Sequence, residues 1–141
     1  MSTKVRDRKP SPIQYLCTMR DLVSLTWTNV RKCPKSTRFI YQTKLCEIVE
    51  NAYFHLITVN SIKVKTEGDR QLRRNHLFEA LGLINSLEAL LSIVQDNLEK
   101  ERSPSGKRYI NVNSWKVWGD LIDKERSLVL GVIKQDKGNV S

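Results

Sequence analysis

The sequence predicts an all-α protein, an up-down-up-down antiparallel four-helix bundle. Four stretches carry apolar residues at intervals of three and four, which keeps one face of a helix apolar. The clearest row lies in the third stretch and consists of Leu77, Ala80, Ile84, Leu87, Leu91, Val94 and Leu98. Short, turn-forming segments separate the stretches, and short connections between long helices favour antiparallel neighbours.

The first two helices are predicted at 12–32 and at about 37–65 of the sequence. Ser11 is the expected cap of the first helix, because Pro12 suits the first helical position. Ser36 or Thr37 is expected to cap the second. The predicted inner face of the first helix consists of Ile13, Leu16, Val23, Trp27 and Val30. The predicted row of the second consists of Leu45, Ile48, Ala52, Val59 and Ile62.

The third and fourth helices are predicted at about 70–101 and 114–138. Asp69 and Ser114 are their expected caps. The breakers at 103–106 begin a longer connection, which we expect to be an ordered loop because the sequence offers no second strand to pair with it. The predicted inner face of the fourth helix consists of Trp115, Trp118, Ile122, Val129 and Val132.

Length and charge indicate one small domain with an acidic partner. The chain has 141 residues and a formal net charge of +9. The expected organisation is a basic N-terminal arm at 1–11, the bundle at 12–138 and a tail at 139–141. A charge excess of this size indicates a phosphate-rich or acidic partner, nucleic acid first, and the apolar rows of a closed bundle argue against the rival, a membrane surface. Neither a signal-like segment nor an apolar run long enough to span a bilayer is evident, so we expect a cytoplasmic protein that does not bind membranes.

The basic residues concentrate where helices end, which favours contact with phosphates. One end of the predicted bundle carries Arg31, Lys32, Lys35, Arg38, Arg102, Lys107 and Arg108. The opposite end carries Lys63, Lys65, Arg70, Arg73, Arg74, Lys134 and Lys137, together with Lys4, Arg6, Arg8 and Lys9 of the arm. Charge that is solvated surface, with no binding role, is the alternative.

Catalytic, metal and cofactor chemistry is not indicated, so the protein is predicted to be a non-enzyme without cofactors. The sequence has no phosphate-binding loop and no hydrolase or metalloprotease motif. His55 and His76 are expected to lie in the same half of the bundle as hydrogen-bonded residues at the core edge. The carboxylates fall mostly on the polar faces of the helices, so no pair of catalytic acids with shifted pKa values is indicated. Trp115 and Trp118 are interpreted as core residues, although unpaired bases can stack on such side chains. Tyr109 is a further candidate for stacking.

The three cysteines, Cys17, Cys33 and Cys46, do not form a pair with metal-ligand spacing. We therefore expect buried, inert thiols in a reducing compartment.

Three segments resemble one protein family. They are CPKSTRF at 33–39, NHLFEALGLINSLEALLSI at 75–93 and WGDLIDKERSLVLGVIKQDKG at 118–138, the last with a Leu-x-x-Gly-x-x-Lys close. They resemble the small four-helix proteins related to ribosomal-RNA intervening-sequence proteins. That family includes the accessory variability determinant of diversity-generating retroelements. The hairpin match is carried by Pro34, Lys35, Arg38 and Phe39.

The resemblance implies a basic homopentamer that binds a reverse transcriptase together with RNA and DNA, and that supports mutagenic reverse transcription. A stand-alone RNA-binding protein of the intervening-sequence type and an adaptor that docks an acidic protein are the alternatives. Self-association is also expected because some apolar residues fall beside the main rows. These are Tyr41, Phe54, Leu56, Leu83, Leu90 and Ile93.

Overall fold

A computed structural model describes residues 12–138, and over that range the chain contains four α-helices and no strand. The helices are α1 (Gln14–Val30), α2 (Lys35–Ser61), α3 (Glu67–Glu99) and α4 (Val112–Gly138). Within the described range, α1 and α3 each pack against α2 and α4, but not against one another. Four helices thus surround one core, which confirms the all-α prediction. The predicted arm at 1–11 and tail at 139–141 lie outside the described residues.

The apolar row predicted for α3 is confirmed, since all seven of its residues are buried. The helix begins earlier than expected because Thr66 caps it. The Thr66 hydroxyl accepts a hydrogen bond from the Asp69 backbone N–H, and the Asp69 carboxylate accepts one from the Thr66 backbone N–H, both over 3.1 Å. Asp69 is therefore the acidic member of a capping box and not the cap.

The inner face of α1 differs from the prediction by a rotation about the helix axis. Its buried residues are Tyr15, Thr18, Met19, Leu22, Val23, Thr26, Asn29 and Val30. Ile13 and Trp27 are exposed, and Leu16 is only half-buried. Polar side chains can occupy this inner face because some find partners there: the Thr26 hydroxyl donates to the Leu22 carbonyl over 2.8 Å. The expected cap, Ser11, is not described, and Ile13 occupies the position before the helix.

The predicted bounds and row of α2 also need correction. The helix begins at Lys35, directly after Pro34, so neither Ser36 nor Thr37 caps it. It ends at Ser61, because Ile62 has an extended backbone. Its buried residues are Leu45, Val49, Ala52, Leu56 and Val59. Leu56 is therefore a core residue and not part of an outer apolar surface, whereas Ile48 and Ile62 are half-buried.

Helix α4 is capped by Asn111, whose side-chain oxygen accepts a hydrogen bond from the Ser114 backbone N–H over 2.7 Å. Ser114, the predicted cap, lies inside the helix. The other inner residues match the prediction, except that Val132 is half-buried and the row contains Glu125. The loop before α4 forms no strand, as predicted. Within it Ile110 is buried, and Gly106 adopts a left-handed backbone with φ of 83°.

The three thiols differ in exposure. Cys33 is buried and Cys46 is half-buried, and burial raises the pKa of both thiols, that of Cys33 to about 11. Cys17 is exposed on α1, so the prediction of a buried thiol is wrong at this position. That prediction rested on the general tendency of free cysteines to be buried, whereas Cys17 lies on the side of α1 away from the buried Met19 and Leu22.

Candidate nucleic-acid interface

Two contacts bring together the chain segments that carry the basic residues predicted at the first end of the bundle. Lys32, after α1, donates a hydrogen bond to the Ser114 hydroxyl of α4 over 3.4 Å. Tyr41, near the start of α2, lies within electrostatic range of Glu101, which follows α3, and burial together with this charge raises the pKa of the Tyr41 phenol. We call Arg31, Lys32, Lys35, Arg38, Arg102, Lys107 and Arg108 the joint end.

Three arginines of the joint end bind backbone carbonyl or carboxylate oxygens of the chain itself. Arg38 donates from Nε and Nη2 to the Cys33 carbonyl, over 3.2 and 3.1 Å, and so satisfies an acceptor at the α1–α2 turn. Arg102 donates to the carbonyls of Glu99 and Glu101, over 2.7 and 2.9 Å. Arg108 forms an ion pair with Glu99. These side chains hold turns in place, which was not foreseen from the sequence.

The remaining four joint-end cations form an unneutralised set. Arg31, Lys32, Lys35 and Lys107 are all exposed, and within residues 12–138 none of them forms an ion pair with a carboxylate. Exposed cations can exchange their hydration for phosphate oxygens without first breaking an internal salt bridge. These four cations are therefore exposed and bind neither a backbone carbonyl nor a carboxylate within the described residues.

At the opposite end of the bundle the basic residues also come from several helices, but nearby carboxylates neutralise some of their charge. Arg73 donates to both carboxylate oxygens of Asp136 and, over 2.8 Å, to the Val59 carbonyl, so it joins α2, α3 and α4. Arg70 lies 3.6 Å from Glu67. The predicted phosphate-binding role of Arg73 is thus difficult to combine with its structural role.

A cleft of about 360 Å³ occupies this opposite end, and its lining mixes both signs of charge. Arg70, Arg74 and Lys137 lie beside Glu67 and Asp136. The Arg74 guanidinium is 5.5 Å from the centre of the Phe78 ring. Lys63, Lys65 and Lys134 are exposed. Lys4, Arg6, Arg8 and Lys9 of the arm lie outside the described residues.

The two histidines meet as expected between α2 and α3. Their Nδ1 atoms are 2.9 Å apart, so the Nδ1–H of one ring donates a hydrogen bond to Nδ1 of the other. Among the described residues, no group of three or more His, Cys, Asp or Glu side chains could hold a metal ion. The hydrogen bond between these two half-buried side chains links α2 to α3.

The aromatic residues that could stack on bases differ in how far they are exposed. Trp115 and Trp118 stack on each other with ring centres 5.5 Å apart and are buried, as predicted. Tyr109 is half-buried. Trp27, which was predicted to face the core, is 43% exposed, and its indole N–H donates to the Glu50 carboxylate over 3.0 Å. The exposure of Trp27 was missed because α1 carries apolar residues on two adjacent faces.

Several polar groups are buried at positions where the sequence did not predict them. Glu125 is fully buried, and desolvation raises the pKa of its carboxyl group to about 9, so it is neutral at pH 7. Its two oxygens, both amide atoms of Asn29 and Nε1 of Trp115 have no hydrogen-bond partner within the described chain. The one signal in the sequence for the burial of Glu125 is its position on the apolar row of α4.

One described helix, α3, is long and apolar enough to cross a bilayer by length and composition alone. Core helices also meet this criterion, and the main apolar row of α3 is buried against the other helices of the bundle. The feature is therefore weak evidence for a membrane span.

Comparisons with protein-family models, with curated proteins and with solved structures found no match to this chain.

Proposed function

We propose that this protein is a non-enzymatic, nucleic-acid-binding accessory factor of a diversity-generating retroelement. In this proposal it binds a reverse transcriptase together with template RNA and cDNA, and supports mutagenic reverse transcription in the cytoplasm. The observation that carries nucleic-acid binding is the exposed set Arg31, Lys32, Lys35 and Lys107, which has no internal ion pair within the described residues. The choice of a reverse transcriptase as the protein partner is based only on the family resemblance of the three sequence segments.

The four helices of the proposed accessory factor run up-down-up-down and assemble into a cyclic homo-oligomer. Contacts between the end of α1 and the start of α4, and between the start of α3 and the end of α4, support an up-down-up-down order. A cyclic homo-oligomer, a pentamer by the family resemblance, would place several joint ends around one axis. Repetition of a basic surface strengthens the field that attracts a polyanion.

Binding can be tested with fluorescently labelled single-stranded RNA and DNA at increasing salt. We expect similar affinity for unrelated sequences and a log-log salt slope of about −0.7 for each phosphate contact. The double variant Arg31→Glu/Lys35→Glu should weaken binding and flatten the slope. The variant Arg20→Glu/Lys124→Glu, in exposed parts of α1 and α4, is the matched control because it changes net charge equally.

Equal weakening in both double variants would contradict a defined joint-end site, and affinity that does not respond to salt would contradict phosphate binding altogether. Circular dichroism of each variant checks that the helices persist.

The choice of partner needs a separate experiment. Co-purification with a reverse transcriptase encoded beside this protein, near template and variable repeats, would support the retroelement role. Location inside a ribosomal-RNA gene would favour the stand-alone RNA-binding alternative. Binding to an acidic protein without any affinity for oligonucleotides would favour the adaptor.

A further inference from the structure

A cleft between α1 and α2 lies next to the joint end and has a volume of about 290 Å³. Its lining consists of Trp27, Val30, Arg31, Gln42, Cys46 and Glu50. The Trp27 indole is held in place by its hydrogen bond to Glu50, although almost half of the residue is exposed. A fixed, flat and exposed aromatic surface loses little side-chain freedom when another flat group stacks on it.

The polar groups around the indole narrow the class of ligand. Arg31 contributes a cation that has no carboxylate partner among the described residues, and the Gln42 amide can both donate and accept hydrogen bonds. The Glu50 carboxylate repels a bare phosphate, whereas it does not repel a neutral ring. The cleft thus suits a flat, neutral, hydrogen-bonding group that is joined to a negatively charged group outside it.

We propose that this cleft binds an unpaired nucleobase of a single-stranded nucleic acid. The base stacks on Trp27, and Arg31 and Lys35 neutralise the phosphates on either side of it. The inference rests on the proposed nucleic-acid binding and adds to it a site for bases, and therefore a preference for single strands. In a duplex the paired bases are stacked on their neighbours and cannot enter the cleft.

The fluorescence of the protein gives a direct test, because the sequence contains three tryptophans and Trp115 and Trp118 are buried. Two probes are needed: oligo-dT, and an abasic oligonucleotide with the same number of phosphates. We expect oligo-dT to quench the exposed indole and to bind more tightly than the abasic strand. A duplex of the same length should quench little.

Variants at position 27 separate stacking from charge. Trp27→Ala should lower the affinity for oligo-dT roughly fivefold to a hundredfold, the range found when a stacking aromatic is removed, and leave affinity for the abasic strand unchanged. Trp27→Phe should retain most of the affinity but lose the quenching. Phe54→Ala is the control, because Phe54 is an aromatic residue on α2 that is 57% exposed and does not line the cleft. This variant should change neither the affinity for oligo-dT nor the quenching.

The outcomes distinguish this inference from the broader proposal. Salt-dependent binding with equal affinity for oligo-dT and the abasic strand, or oligo-dT that binds without quenching the wild-type protein, would overturn the base site and leave phosphate binding intact. Failure of the wild-type protein to bind any strand at low salt would overturn both. The wild-type measurements decide even if Trp27→Ala does not fold.

Discussion

The indole N–H of Trp118 donates a hydrogen bond to the Thr26 hydroxyl over 3.1 Å, and both side chains are buried between α1 and α4. The same hydroxyl donates its own proton to the Leu22 carbonyl. Thr26 therefore satisfies a buried donor on another helix while its own donor is satisfied within α1. A polar residue is tolerated in the core here because its hydroxyl group both donates and accepts a hydrogen bond.

Replacement of Thr26 tests this link. Thr26→Val keeps the shape but leaves the Trp118 N–H buried without a partner, which should lower the free energy of unfolding by about 1 to 3 kcal/mol. Thr26→Ser keeps the hydroxyl and should lose less. Urea denaturation measures both variants, and equal stability of Thr26→Val and wild type would show that the hydrogen bond contributes nothing.

Leu87 tests the core position of α3. The side chain is 1% exposed, so Leu87→Ala should lower the free energy of unfolding by about 2 to 5 kcal/mol through loss of contacts and creation of a cavity. Leu72→Ala is the matched control, since Leu72 lies on the same helix and is about half exposed. A loss below about 1 kcal/mol for Leu87→Ala would contradict the burial of this row.

Glu125 should make stability depend on pH. Its folded pKa of about 9 lies above the ordinary value of 4.5, so the folded state holds a proton that the unfolded state releases between these values. The free energy of unfolding should therefore fall as pH rises above about 5, by at most about 1.4 kcal/mol per pH unit for this group. Glu125→Gln should remove that slope.

The measurement is urea denaturation of wild type and Glu125→Gln at a series of pH values between 5 and 8. The difference between the two curves isolates Glu125 from other titrating groups. A constant difference across this range would mean that the carboxyl group is ionised in the folded protein.

Assembly is tested by light scattering at moderate salt. Apolar side chains remain exposed on α2 and α3, among them Phe39, Phe54 and Ile93, and exposed apolar patches often mark interfaces. We expect a mass near five chains. A persistent monomer of 16.3 kDa would contradict the pentamer that the resemblance implies.

The contrast between α3 and α1 shows which features of the fold could be predicted. On α3 one row of seven apolar residues is continuous, so its buried face is unambiguous. On α1 the row with Ile13 and Trp27 is the more apolar, yet the face with Thr26 and Asn29 is buried. The hydrogen bond from Trp118 of α4 to Thr26 favours the burial of that face. Such a contact with another helix cannot be predicted from the spacing of residues within α1 alone.

The candidate site shows a similar division. Charge at the helix ends was visible in the sequence, but not which cations would be engaged within the chain. Arg38 and Arg73 satisfy backbone carbonyls, whereas Arg31 and Lys35 remain exposed. The burial of Glu125 likewise depends on packing around α4, which hydrophobic spacing alone does not specify.

The position of α4 in the chain has a consequence for biosynthesis. Its two neighbours in the bundle are α1 and α3, and Trp118 meets a residue 92 positions earlier. A ribosome therefore completes α1, α2 and α3 before it makes the helix that covers the inner sides of two of them. Until then those apolar sides are open to solvent, so the nascent chain is most vulnerable to aggregation and to chaperone capture just before α4 emerges.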